Sequence, residues 1–445
     1  MNTKKINKKA VTRRSFVKTT GLATGGLLVS SIPIEAMAQT GKVEKLKLAV
    51  VGCGGRGTGA TVQALTADKD VELVAMADAF KDRLEGSLAA IKEHFDGKRK
   101  IKVKAKNQFI GFDAYKKAID QADVIILATP PGFRPLHFEY AISQDKHVFM
   151  EKPVATDPAG VRRVLNSAKL AKDKKLNVVV GLQRHYEKKY LAIYDQVKKG
   201  AIGKIVSGQV YWNGSGVWVR PREQGQTELE YQMRNWYYFN WLCGDHILEQ
   251  HIHNIDVANW FIGEYPIKAQ GMGGREVRNG LDHGEIFDHH FVEYTYPSGA
   301  IISSQCRHQK GCHNRVDEAF QGSLGSTVLG KGIITDLKGK EKFNYSKTNN
   351  GKDPNPYQVE HDRLFSAIRT KSELISDGEN GAKSTLAAIM GRMATYSGDV
   401  INWDQALSSP LKLVNDDLDW NSTPPTIPNA DGKYNIPIPG VTSYK

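Results

Sequence analysis

The chain has 445 residues, 40% hydrophobic and 24% charged, with a formal net charge of +13. That length supports two domains with sizeable cores, and the composition excludes disordered and collagen-like classes. Residues 1–38 hold seven basic side chains against Glu35, so six of the thirteen net charges sit there, and the remaining +7 gives no argument for a nucleic-acid partner.

In chain order, residues 1–38 read as an export signal. A basic segment precedes the apolar run Gly21 to Ile34, and Ala36-Met37-Ala38 offers a small-x-small cleavage site before Gln39. The apolar run is too short and too rich in glycine for a membrane span. Thr12-Arg13-Arg14-Ser15-Phe16-Val17-Lys18 resembles a twin-arginine signal. That route carries folded proteins, which predicts a periplasmic protein that keeps its cofactor tightly bound. Its net reaction is then redox-neutral, or a redox partner reoxidises it.

Residues 39–165 are expected to form a dinucleotide-binding domain. Leu48 to Val51 is an apolar strand that breaks into Gly52-Cys53-Gly54-Gly55-Arg56-Gly57. A helix-compatible run follows, and a second apolar strand, Val71 to Ala77, ends on Asp78. Gly52 permits the tight turn, Gly54 lets the backbone approach a pyrophosphate, and Gly57 lets the helix pack closely on the sheet. With Gly55 and Arg56 they open a helix whose free N–H groups suit phosphate. Asp78 stands where a carboxylate accepts the ribose hydroxyls, which selects NAD; Lys81 and Arg83 keep NADP as the minority reading. Lys98 to Lys106 alternates like a strand with a solvated face. Asp123 to Ala128 is a buried parallel strand ending on Thr129-Pro130-Pro131, a loop for the nicotinamide end, with His137 after it. Val148 to Met150 runs into Glu151-Lys152-Pro153, so Glu151 and Lys152 face the crevice at the strand ends.

Residues 166–405 are expected to form the substrate domain. Gln183, Arg184 and His185 follow a strand and stand as sugar-binding candidates; a structural Arg184 between the two domains is the alternative. Ile205 to Trp212 alternates and predicts the first strand of a second sheet. Residues 218–243 are rich in aromatics and arginine, including Trp236 and Tyr237, a composition that stacks on sugar rings. Read as one helix, Gly244 to Trp260 places His246, Glu249 or Gln250, and His253 on one face, a plausible acid–base face. Asp245, His246, Glu249, His251 and His253 also raise a metal, but a helix gathers at most three of them and the spacing is not H-E-x-x-H, so none is expected. The four cysteines form no C-x-x-C pair; Cys306 and Cys312 alone suggest a bridge in an oxidising compartment. Residues 406–445, rich in Pro, Asn and Asp, read as an irregular tail draped on the surface.

The combination GCGGRG, then ATPP with His137 after it, then EKPV resembles the Gfo/Idh/MocA oxidoreductases. The resemblance implies an α/β protein: an N-terminal Rossmann doubly wound parallel sheet and a C-terminal α/β domain with an open, mostly antiparallel sheet. It implies that Lys152 is the active-site lysine of the EKP motif. It also implies that His253, within His253-x-x-Asp256 and Ala258 to Trp260, is the general base. Glu249 stands where that family usually has Asp and would orient His253 or a hydroxyl. The open sheet implies a homo-oligomer. The expected function is NAD(H)-dependent oxidation of a ring hydroxyl of a sugar or glycoside, with carbon 3 of a glucoside as the leading position. A redox-neutral, NAD-dependent glycosidase and a non-catalytic sugar-binding module are the alternatives.

Overall fold

The computed structural model describes residues 44–97, 101–349 and 351–444. The expected export signal lies outside the described residues. Among them no helix is long and apolar enough to cross a membrane.

Six parallel strands form the first sheet: β1 (Leu46–Val51), β2 (Val71–Asp78), β3 (Gln108–Ile110), β4 (Val124–Leu127), β5 (His147–Met150) and β6 (Val178–Val180). Their spatial order is β3-β2-β1-β4-β5-β6. β4 is buried at every position, as an apolar run without alternation requires when helices cover both faces. The order reverses between β1 and β4, which opens a crevice at their C-terminal ends. The strands expected at Leu48 to Val51, Val71 to Ala77, Asp123 to Ala128 and Val148 to Met150, and the helix after the glycines (Gly55–Ala67), are present. The expected domain boundary at 165 falls inside the helix Pro158–Asp173, and β6 beyond it still belongs to the first sheet. Its pairing with β5, Met150 beside Val180, is what carries the layer past that point.

The second sheet has nine strands: β7 (Ile205–Gly214), β8 (Lys268–Gly274), β9 (His289–Thr295), β10 (Ile301–His308), β11 (Arg315–Gly322), β12 (Gly325–Val328), β13 (Ile333–Asp336), β14 (Glu341–Asn344) and β15 (Ile401–Asn402). They are ordered β14-β13-β12-β11-β7-β10-β9-β8-β15. Only β7 and β10 pair in parallel; the other pairings are antiparallel. Helix Gly378–Ser397 is buried along nearly its whole length, packing on Pro158–Asp173 on one side and β8 on the other. Its run of Gly, Ala, Ser and Thr lets both neighbours approach closely.

Three local expectations are corrected. The basic stretch before Gln108 is not a strand in its described part: Ile101 makes one isolated bridge to Leu73, and Ala105–Asn107 is a 3-10 turn. Its lysine has another use, since Lys102 and Lys45 both pair with Glu72. Residues 246–260 are two helices, His246–Glu249 and Ile252–Ile262, with a break at Gln250 and His251. Cys306 is buried and Cys312 exposed, both as free thiols.

Candidate active site

A cavity of about 500 Å³ lies along the crevice of the first sheet and is closed by the second layer. Its floor is the turn after β1. Gly52 has φ +95°, and a Cβ there would meet Ala128 and Thr129 backbone atoms at 2.5 Å. A Cβ on Gly57 would lie 1.9 Å from the Gly52 carbonyl oxygen. Gly54 and Gly55 have open space where a side chain would begin, and both line the cavity. This is a backbone cradle that fits a pyrophosphate at a helix N-terminus. Asp78 ends β2 at the same cavity; its Oδ2 accepts the Cys53 N–H at 2.6 Å and its Oδ1 the Phe80 N–H at 2.9 Å. Burial pushes the Asp78 carboxyl up, and the two N–H bonds oppose that rise. The residues present therefore fit a dinucleotide whose ribose carries free hydroxyls.

Farther along the crevice Thr129, Pro130, His137, Glu151 and Lys152 line the cavity, as expected from the strand ends. His137 packs on Tyr115 with ring centroids 4.2 Å apart, and burial holds its imidazole down at about 3. Arg134, which the sequence reading did not single out, is buried and donates to the carbonyls of Thr129 and Pro153. It thereby ties the loop after β4 to the residue after Lys152. Arg56 has its guanidinium taken by Glu151 at 2.5 Å, Glu360 at 3.3 Å and Gln63 at 3.0 Å, with the Tyr357 ring 5.0 Å away. It anchors the glycine turn to the helix Pro356–Thr370. Gly57 and Pro131 do not line the cavity; they shape its floor and loop from behind.

The second layer brings Glu249 and His253 to the same cavity. Lys152 donates to the Glu249 carbonyl at 2.5 Å and lies 3.5 Å from Glu249 Oε1. Burial raises the Glu249 carboxyl, and the Lys152 charge opposes it. His253, in the first turn of Ile252–Ile262, lines the same cavity; its Nδ1 has no hydrogen-bond partner. Burial first, then the Lys152 charge, holds the His253 imidazole well below its usual range. Trp212 on β7 stacks on His253 at 5.9 Å. Trp218, Trp236 and Tyr237 complete an aromatic wall, and the Tyr237 hydroxyl is buried without a partner.

Four expected substrate ligands lie elsewhere. Arg184 is buried against Glu318 of β11, and His185 binds Asp256 at 2.7 Å. Both join the two layers, so the structural alternative for Arg184 is the one realised. Gln183 precedes them in the 3-10 turn Gln183–Tyr186 and does not line the cavity. His246 is fully buried behind it, stacked on His308 at 4.5 Å, because the break after Glu249 turns its face away from that of His253. His246 Nδ1 meets Asp245 at 2.7 Å, and Asp245 also takes the Phe287 N–H at 2.9 Å and the Tyr396 hydroxyl. Asp245, His246 and His290 have ligand atoms within 4.8 Å of one another. The Asp245 oxygens are already saturated by protein donors, at a residue with φ +75°, so the group reads as the fastening of a strained turn. Of the other residues weighed for a metal, His251 bonds Ser304 at 2.7 Å.

Trp212, Tyr115 and Tyr357 were missed. Trp212 lies on a strand whose alternation was read, and its cavity-facing side was the available signal. Tyr357 comes from a distant helix, and nothing local in the sequence points to it.

A glycine cradle at a helix N-terminus, an acid ending the second strand, and a half-buried Lys152 sharing one cavity with His253 fit a two-domain, dinucleotide-dependent oxidoreductase. Residues 46–182 match the model of an oxidoreductase family with an NAD-binding Rossmann fold, and residues 190–327 match the GFO/IDH/MocA C-terminal domain. Together these span more than half the chain, and the protein belongs to the Gfo/Idh/MocA family. Among curated relatives it is 25% identical to inositol 2-dehydrogenase of Rhizobium meliloti, over 60% of this chain and 70% of that protein. It is 23% identical to a glycosyl hydrolase family 109 protein of Shewanella baltica, over 50% of this chain and 49% of that protein. Among solved structures, aldose–aldose oxidoreductase from Caulobacter crescentus shares the fold at 16% identity, covering 81% of this chain and 100% of that one with a TM-score of 0.60.

Proposed function

We propose that the protein oxidises a secondary ring hydroxyl of a cyclitol, sugar or glycoside, using NAD. The observation that carries this reading is the buried His253, its Nδ1 without a hydrogen-bond partner, in the same cavity as Lys152, the glycine cradle and Asp78. NAD, when bound, accepts the hydride from the ring carbon. The protein's own residues manage the proton. Lys152 places a positive charge at the reacting oxygen and favours its deprotonation, and His253 takes that proton. Glu249 holds Lys152 in place through its carbonyl and carboxylate. The alcohol loses a hydride from carbon and a proton from oxygen, two electrons and two protons in all, and becomes a ketone.

The aromatic wall of Trp212, Trp218, Trp236 and Tyr237 supports a ring with apolar C–H faces over an open-chain alcohol. Carbon 3 of a glucoside is the position to test first. Oxidation there acidifies the adjacent C–H, and loss of the aglycone becomes feasible; the family 109 relative supports this redox-neutral cleavage as a second reading. The twin-arginine-like leader supports a periplasmic protein that travels with its cofactor.

The test uses purified mature protein without added cofactor, with cyclitols, free sugars and glycosides added in turn. A lasting rise in reduced-nicotinamide absorbance with one ring alcohol is the expected result. Released aglycone without that rise would favour the redox-neutral reading. Bound NAD with no change for any ring alcohol would leave a sugar-binding module.

A further inference from the structure

Residues 409–434 belong to neither sheet, yet they cross the molecule at one end of the cavity. The segment starts on the first layer, where the Leu413 N–H donates to Asp157 at 2.7 Å and Arg163 reaches Asp416 at 3.0 Å. Trp420 then packs on Phe80 and Phe112, with ring centroids 5.3 and 4.8 Å apart. Both phenylalanines line the cavity; Trp420 does not. Phe80 lies two residues after Asp78 and donates its N–H to that carboxylate. Phe112 follows β3, the strand beside β2, so both rings stand on the adenosine side of the fold.

A second hold comes from the helix Glu228–Arg234. The Arg234 guanidinium lies 4.0 Å from the Phe80 ring centroid and meets both Asp82 oxygens at 3.2 Å. The tail fastens to this same helix: Gln232 donates to the Thr426 carbonyl at 2.7 Å, and the Tyr434 hydroxyl donates to Glu228 at 2.5 Å. Tail and helix are thus one unit, and both grip Phe80.

We propose that Trp420, seconded by Arg234, is a positioning residue that retains the cofactor: it fixes Phe80 and Phe112, so the adenosine half of NAD leaves only when the tail lifts. The inference rests on the NAD site alone, and its readouts need no substrate.

The full chain is loaded with NAD, and release is followed as exchange against isotope-labelled NAD. Dissociation constants for ADP-ribose and for nicotinamide mononucleotide are measured on the stripped protein. Trp420→Ala and Arg234→Ala are expected to speed exchange and weaken ADP-ribose by about tenfold, the order set by one aromatic contact. Nicotinamide mononucleotide binding stays unchanged, and Trp420→Phe restores retention. Exchange within about twofold of the wild type in both alanine variants would overturn the proposal, given the scale of one aromatic pair. So would equal weakening of the two half-cofactors, which marks a general loosening.

Discussion

At the scale of single residues, the proposed chemistry divides its labour between a fixed charge and a neutral base. Lys152 is held by Glu249, while His253 has no partner on Nδ1 and is kept unprotonated by burial and by Lys152 itself. His253→Ala and Lys152→Ala should each lower kcat by about 10²–10⁴-fold, the usual range for a general acid–base group. NAD affinity should hold in both, measured by calorimetry. The base form of His253 is the active one and its pKa is depressed. Activity should therefore persist below the normal imidazole range and fall only as pH drops through the lowered value. An acid limb in kcat at or above the normal imidazole pKa would contradict that assignment. Under the proposed function Asp78 accepts the ribose hydroxyls, so Asp78→Ala should raise the KM for NAD by about tenfold or more, since a charged acceptor of hydroxyls is worth that order.

At the scale of elements, the turn after β1 is the part with least tolerance. A Cβ on Gly57 would sit 1.9 Å from the Gly52 oxygen, so Gly57→Ala should cost about 1–3 kcal/mol, as other overpacked sites do. Thermal melting of the apo protein measures this without reference to activity. β1, β2, β4 and β5 were legible because each is a largely apolar run ended by residues with one purpose, Gly52, Asp78, Thr129 or Lys152; β3, three residues opening on Gln108, was not. The second layer was less legible. β8 carries Gly271, Gly273 and Gly274 and has no run of β-formers, and β13 to β15 are four residues or shorter. The histidine-rich stretch misled because one helical period was drawn through Gln250 and His251, where the chain breaks into two helices. His253 kept its place at the cavity, but His246 was carried into the packing beside His290 and His308. Arg184 and His185 could not be sorted locally, since their partners Glu318 and Asp256 come from 134 and 71 residues away.

At the scale of the whole molecule, the buried imidazoles set an acid limit on the fold. Burial holds His246 down at about 4 and His137, His251 and His361 at about 3. The unfolded chain binds protons on these groups below about 6.5, while the folded chain does not until pH nears 3–4, so stability must fall across that window. Denaturant midpoints should drop steadily below that upper value; midpoints flat from neutrality down to pH 4 would contradict the burial of neutral histidines. In the proposed reaction a ring C–H gives its hydride to NAD in this cavity while His253 takes the hydroxyl proton. The most direct measurement is one turnover with a substrate deuterated at the reacting ring carbon, followed by mass analysis of the bound cofactor. The reduced nicotinamide of the wild type should carry the deuterium, and that of His253→Ala should gain it about 10²–10⁴-fold more slowly. Ketone or cleaved product formed without deuterium ever entering the cofactor would contradict it.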